Sequence, residues 1–346
     1  MSKCRVAISQ DFQRSDGSPA FPSFDLSPLD DPRIEWSYIP LRNGRIDAAD
    51  MEGYDALILL SGRFDADSIP AEGRLALVAR FGVGYDTVDI VACTARDVAV
   101  AITPDGVRRP VAVAIMTLIL ALAGRLMVKD RLTRRGPDGW AQRGAHMGDG
   151  LVGKTLGSLG IGNIGTEMFR MARPFDMRFA AYDPFADEEI ARSLGVELVT
   201  ADELFRRSDF LCVNCPLTDE TRHFVNAARL GLMKPTAYLI NTARGPIVDQ
   251  VALTKALQDG TIAGAGLDVF AEEPSSADDP LFGLDNVIVT PHALCWTDEC
   301  FAGTGAADIA AVFALLSDQL PSDIVNREVT NTDAWQAKLK ALSSIA

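Results

Sequence analysis

Residues 156–165 read LGSLGIGNIG. The apolar start predicts a strand, Leu156–Gly160, and Gly160-Ile161-Gly162-Asn163-Ile164-Gly165 fits G-x-G-x-x-G. Ile164, Met168, Phe169, Met171 and Ala172 then predict a helix over Asn163–Ala172. The next strand, Arg178–Tyr182, closes on Asp183, about 20 residues beyond the glycines. Strand, glycine turn, helix and a closing acid together form the pattern of a dinucleotide-binding βαβ unit. Gly160 permits the tight turn, Gly162 lets a pyrophosphate reach the backbone, and Gly165 lets the helix pack close to the strand. The helix N-terminus offers free N–H groups and a partial positive charge to phosphate. Asp183 suits a ribose diol and would repel a 2′-phosphate, so NAD is expected, with NADH preferred over NADPH.

The alternation continues outward from this unit. Helices are predicted at Glu188–Leu194, Asp202–Arg207 and Gln250–Gln258. Strands are predicted at Phe210–Val213, Ala237–Ile240, Ala263–Leu267 and Val287–Val289. This is a doubly wound order. Upstream, strands are predicted at Arg5–Ile8, Ala56–Leu60, Leu75–Ala79 and Val98–Ile102, giving a second parallel α/β layer. The segment from Phe12 to Asp31, rich in Ser, Pro and Asp, reads as loop. Thr103-Pro104-Asp105-Gly106 punctuates the chain before a long apolar helix, Val107 to Leu126, and a loop rich in Gly and charge, Arg134–Gly150. The tail Thr297–Leu316 reads as one helix, ended by the stretch Pro321 to Asn326.

A chain of 346 residues accommodates two cores. Its formal net charge of −14 argues against nucleic acid or an anionic membrane as partner, since both would be repelled. Any site for an acid must therefore carry its own positive charge. The N-terminal stretch reads as a strand, with no secretory signal. The longest apolar run, Val111–Ala123, is shorter than the roughly 20 residues of a membrane span. A cytoplasmic chain is expected. Cys212 and Cys215 form a CxxC on and just after a buried strand. With no second pair or histidine nearby, they read as apolar filler rather than as a metal or redox site.

Three further stretches carry chemistry. NTARGPIVD (241–249) places Arg244 at a strand end before a Gly-Pro bend. GLDVFAEEP (266–274) and TPHALCW (290–296) add acids and His292 after two more strands. Ligands of open α/β sheets bind outside the carboxyl ends of the strands, so an arginine, an acid and a histidine can converge there.

FGVGYDTVD (81–89), GKTLGSLGIGNIG (153–165), NTARGPIVD (241–249), GAGLDVFAEEP (264–274) and TPH (290–292) resemble, in this order, the signature segments of the D-2-hydroxyacid dehydrogenase family. The resemblance covers most of the chain. It implies two Rossmann-like, doubly wound parallel-sheet domains. An NAD domain, 105–296, is inserted into a split substrate domain, 1–104 and 297–346. It also implies an NAD-dependent oxidoreductase that interconverts a small 2-oxo acid and its D-2-hydroxy acid, and a homodimer whose interface involves the helix 107–126 and the loop 134–150. By residue, Arg244 matches the arginine that holds substrate carboxylate and carbonyl, Glu273 the partner of the histidine, and His292 the general acid/base. Val83 and Gly84 match the loop whose amides bind the substrate carboxylate. Asn163 and Ile164 match the pyrophosphate turn and Asp183 the ribose acid. Cys215, Thr242, Ala243 and Asp268 match residues lining the nicotinamide and its ribose.

The chemistry is coherent. Reducing a 2-oxo acid places hydride on C2 and a proton on the carbonyl oxygen, a task for histidine near neutral pH. A carboxylate beside it stabilises the imidazolium, and an arginine fork holds a carboxylate. Two other functions fit the same residues: an NAD(H)-sensing binding protein of the same fold, and oxidation of another small anion such as phosphite. Glu273 argues against formate oxidation, where an amide replaces that acid. Trp296 follows His292 where the family has small residues, and either walls the substrate pocket or packs the domain junction. Arg63, Arg108 and Arg109 either reach a second end of the substrate or form a charged rim. His146 is expected in a solvated loop, and His223 in a structural or exposed position.

Overall fold

The computed structural model describes residues 3–345. Two compact units form. One takes in the chain up to Val107 and again from Trp296; the other is Arg108–Cys295.

The split unit is built on five parallel strands: β1 (Cys4–Ser9), β2 (Ile34–Ile39), β3 (Ala56–Leu59), β4 (Leu77–Arg80) and β5 (Ala99–Ile102), in the order β2-β1-β3-β4-β5. The central strands are continuous apolar runs because both faces are covered; all four residues of β3 are buried. The edge strand β2 was not anticipated. Its Glu35 and Ser37 are exposed between buried Ile34 and Ile39, so one face is solvated and the apolar run is interrupted. β4 begins at Leu77, two residues later than the expected Leu75.

The second unit carries seven parallel strands: β6 (Thr155–Leu159), β7 (Arg178–Tyr182), β8 (Val196–Leu198), β9 (Phe210–Val213), β10 (Tyr238–Asn241), β11 (Gly264–Leu267) and β12 (Val287–Val289). Their order is β12-β11-β10-β9-β6-β7-β8, with the reversal between β6 and β9, as in doubly wound dinucleotide folds. Alternate residues feed opposite faces. Leu211, Val213 and Leu239 enter one core, while Phe210, Cys212, Tyr238 and Ile240 enter the other. The short edge strand β8 was also unanticipated; only Val196 of its three residues is buried.

Helix α1 (Pro104–Ala123) starts earlier and ends earlier than Val107–Leu126. Thr103-Pro104-Asp105-Gly106 is therefore a helix start rather than a break, with proline in the first turn where it lacks no needed N–H. At 20 residues this helix is long and apolar enough to cross a membrane, unlike the shorter run read from the sequence. It is instead a core element, burying Ile115, Leu118, Ile119 and Leu122. The glycine turn leads into α2 (Asn163–Ala172), as expected. The stretch 134–150 contains a short helix, Pro137–Ala141, rather than loop alone.

After α3 (Asp298–Leu316), which lies in the split unit, the chain returns to β5. Ile324 bridges antiparallel to Ala101 of β5, and Asn326 accepts from the Val100 N–H and donates to the Val98 carbonyl, both at 2.9 Å. A further helix, α4 (Asp333–Ser343), was missed from the sequence. It is locked by buried Trp335, whose Nε1 donates to the Ala76 carbonyl at 3.0 Å. The Lys338 ammonium donates to the carbonyls of Leu75, Arg96 and Asp97, using all three of its hydrogens. The stretch 321–326 is therefore an anchor between two helices, not only a terminator.

Candidate functional site

Six strand ends of the seven-stranded sheet lie in one register row: Val289, Leu267, Asn241, Val213, Leu159 and Tyr182. At the usual spacing between strands this row runs about 24 Å. Every expected site residue of this unit follows directly from one of these ends or from the helix after it.

Beyond Leu159, Gly160 has φ +91, and a Cβ there would lie 2.9 Å from the Asn214–Cys215 peptide. Gly165 sits equally close to the Gly160 carbonyl. At Gly162, the N-cap of α2, a Cβ would meet nothing within 4 Å. The first and third glycines are thus demanded by packing, whereas the second faces open space at a helix N-terminus opened by Asn163 and Ile164. That is a cradle fit for a pyrophosphate. Ser158 and Asn214 support the turn from below. Ser158 Oγ donates to the Gly160 carbonyl at 2.6 Å and accepts from Asn214 Nδ2 at 2.9 Å. Beyond Tyr182, the Asp183 carboxylate accepts from the Ile161 N–H at 3.0 Å and the Phe185 N–H at 2.9 Å. This fixes it beside the glycine turn with acceptor capacity remaining for a diol. Cys215, beyond Val213, is half-buried, and burial chiefly pushes its thiol up to about 11, so it lines the turn as a neutral group.

Beyond β10, Asn241 was not singled out from the sequence, yet it shapes the turn. Its Oδ1 accepts from the Ala243 N–H at 3.0 Å and its Nδ2 donates to the Arg244 carbonyl at 2.9 Å. Thr242 and Ala243 are half-buried on this turn. Arg244 Nη1 donates to the Ala243 carbonyl at 2.6 Å. Gly245 admits the Phe270–Ala271 peptide where a side chain would collide, so the loops after β10 and β11 meet closely. His223 has a structural place nearby: its backbone N–H donates to the Pro246 carbonyl at 2.9 Å.

The loops after β11 and β12 carry the acid and the histidine. Glu273 Oε1 accepts from the Phe270 N–H at 2.9 Å, and Oε2 pairs with His292 Nδ1 at 2.7 Å. Burial pushes the Glu273 carboxyl up. The hydrogen bonds from His292 and Phe270, and then the charges of His292 and Arg244, outweigh it and hold the group below the usual glutamate range. Such a group adds stability at neutral pH that is lost as pH falls through its lowered native value. His292 adopts φ +53, unusual outside glycine. Asp268, 3% exposed, holds that loop: its Oδ1 accepts from Thr290 Oγ1 at 2.6 Å and from the N–H groups of Ala293 and Leu294 at 3.1 and 3.2 Å. With Nδ1 engaged by the acid, the other ring nitrogen is left for a reacting oxygen.

Arg109 is exposed, and its Nη1 pairs with Glu167 at 2.8 Å. His146 lines a cavity with Arg125, Tyr238 and Asn286, at the edge of the sheet opposite the strand-end row.

In the split unit, Val83 and Gly84 follow Gly82, whose N–H donates to Thr103 Oγ1 at 2.8 Å. Trp296 packs edge-on against Phe21 and Phe301, with ring centroids 5.3 and 5.5 Å away.

Residues 116–293 match the model of the D-isomer specific 2-hydroxyacid dehydrogenase NAD binding domain. The chain is 42% identical to the glyoxylate reductase of Thermococcus onnurineus over 286 residues, 80% of this chain and 84% of that one. It is likewise 42% identical to the glyoxylate reductase of Pyrococcus horikoshii over 284 residues, again 80% and 84% of the two chains. The crystal structure of Rhodotorula graminis D-mandelate dehydrogenase superposes with a TM-score of 0.80 at 26% identity, covering 94% of this chain and 98% of that one. With the glycine turn, strand-end row and histidine–glutamate pair in place, the chain is an oxidoreductase with an NAD-binding domain and belongs to the D-2-hydroxyacid dehydrogenase family.

Proposed function

We propose that the chain reduces a small 2-oxo acid of the glyoxylate or hydroxypyruvate class to its D-2-hydroxy acid, with NADH preferred over NADPH. The observation that carries this is the 2.7 Å contact between His292 Nδ1 and Glu273 at the strand-end row that also bears Arg244. Bound NADH supplies the hydride. His292 gives its proton to the carbonyl oxygen as charge develops there, and Glu273 stabilises the imidazolium before transfer. Arg244 holds the substrate carboxylate and carbonyl in the orientation for attack, its guanidinium remaining charged throughout. The N–H groups of Val83 and Gly84 are the donors that the split unit offers to a substrate carboxylate. Asp268 acts through the loop it grips, fixing where His292 points. Asp183 is the residue that disfavours a 2′-phosphate.

On this reading the unit Arg108–Cys295 is the NAD domain and the split unit the substrate domain. We place the protein in the cytoplasm, a reducing compartment that suits the buried thiols of Cys4, Cys93 and Cys212. We also propose a homodimer. Leu120, Leu126, Met127, Trp140 and Met147 are exposed apolar side chains on one stretch of chain, a pattern that favours a second copy. An equilibrium mass of two chains is expected, and a mass of one chain would contradict it.

The reaction is tested by NADH oxidation at neutral pH against glyoxylate, pyruvate, hydroxypyruvate, a branched oxo acid and a phosphorylated one. Turnover on one or more is expected, with loss of at least about 100-fold in His292→Ala. NADH binding without turnover on any of them would move the protein to the sensing role. The cofactor cradle has its own test. Gly162→Ala enters open space and should cost under about 1 kcal/mol of stability, yet weaken NADH binding measured by fluorescence. Gly160→Ala should destabilise the apoprotein outright, because of its positive φ and its contact with Asn214. Unchanged NADH affinity in Gly162→Ala would reject the cradle.

A further inference from the structure

Phe185 is 93% exposed, the most exposed aromatic side chain among the described residues. A lone exposed apolar residue is ordinary on a protein surface. Phe185 is set apart by where it stands and by how firmly it is held. It lies two residues beyond Asp183, on the loop that leaves β7 at the strand-end row. Its N–H donates to the Asp183 carboxylate at 2.9 Å, and that carboxylate also accepts from the Ile161 N–H of the glycine turn at 3.0 Å. Pro184, between the two, has its own φ fixed by its ring. On the other side, the Ala186 N–H donates to the Asp183 carbonyl at 3.3 Å, and Ala186 packs against the core that holds Phe169 and Leu194. Asp187 then caps the helix Glu188–Leu194, accepting from the N–H groups of Glu189 and Ile190 at 2.8 and 3.1 Å. The turn is tied at both ends, Ala186 takes the inward place, and the phenyl ring is left outside.

The neighbours of the ring narrow what can cover it. Pro184 beside it is exposed, and three acids follow, Asp187, Glu188 and Glu189. Such a surface repels a phosphate and suits a flat, neutral group. NAD carries one on the ribose whose diol Asp183 is placed to bind: adenine, joined to the carbon next to the one that bears the 2′-hydroxyl. A base on a ribose held at Asp183 therefore emerges beside the turn that carries Phe185. Bases stack on aromatic side chains through their π-faces, whatever their hydrogen-bonding edges do.

We propose that Phe185 is a cofactor-binding residue, whose ring covers the adenine of NADH and shields it from water. This rests on Asp183 as the ribose acid, part of the proposed function, and not on which oxo acid is reduced. One turn then has two tasks: its carboxylate takes the ribose and its ring takes the base.

The test is Phe185→Ala in the full-length protein, with Phe185→Tyr, which keeps the ring, as the conservative variant. The position is exposed, so both should melt within about 2 °C of the wild type. Binding is measured by NADH fluorescence and by calorimetry with ADP-ribose, which carries the adenine and lacks the nicotinamide. The expected result is a roughly tenfold rise in both dissociation constants in Phe185→Ala, with wild-type values in Phe185→Tyr. Unchanged affinity for NADH and ADP-ribose in Phe185→Ala overturns the proposal. So does an equal loss in Phe185→Tyr, because the turn rather than the ring would then be at fault. Unchanged affinity with a fall in equilibrium mass from two chains to one also overturns it, and assigns the ring to a contact between copies. If Asp183→Ala leaves ADP-ribose affinity unaltered, the ribose reading and this inference fall together. If Asp183→Ala weakens ADP-ribose and Phe185→Ala does not, the inference alone is removed.

Discussion

The register of the seven-stranded sheet is the constraint on which the site depends. Because its strands are parallel, every carboxyl end faces the same edge, and the in-register row from Val289 to Tyr182 brings six loops to one line. A slip of one residue in β12 would invert its side chains and displace His292 from Glu273. β12 is held in this register by its parallel pairing with β11, Ala265 to Leu267 against Val287 to Val289.

On that row, the local chemistry is arranged against the charge of the whole molecule. The chain carries a formal −14, a field that repels an anionic substrate. Arg244, just beyond the end of β10, puts the opposite sign on that row. Glu273 adds negative charge, but to the histidine, with one oxygen tied to the Phe270 N–H and the other to His292. Asp268 is withdrawn further, its Oδ1 accepting from Thr290, Ala293 and Leu294. With their oxygens engaged by hydrogen bonds, these two acids shape the loops that follow β11 and β12.

Much of this was legible in the sequence because it rests on local rules. G-x-G-x-x-G reports its own turn, and continuous apolar runs report strands buried on both faces. The elements that escaped were those whose signal is diluted by solvent: β2 and β8 at sheet edges, where one side of the strand is polar. α4 escaped because its stability comes from Trp335 and Lys338 reaching backbone carbonyls far away in sequence. The same holds within the site. Arg244, Glu273 and His292 stand out as residue types at strand ends. Asn241, which bends the turn before Arg244, and Ser158 with Asn214, which brace Gly160, do not. Asn241 acts through bonds inside its own turn and Asn214 through a bond to Ser158 on another strand, and Asn and Ser at strand ends are ordinary loop residues when seen in one dimension.

The central claim is that the strand-end row delivers a hydride to the C2 carbon of a 2-oxo acid. The most direct measurement uses NADH deuterated at the transferable position of the nicotinamide, with glyoxylate as substrate and mass spectrometry of the product. The account predicts glycolate carrying one deuterium on C2, formed in step with oxidation of the cofactor. Deuterated NADH recovered unchanged beside unreacted glyoxylate and the rest of the oxo-acid panel, while the protein binds it, would contradict the account.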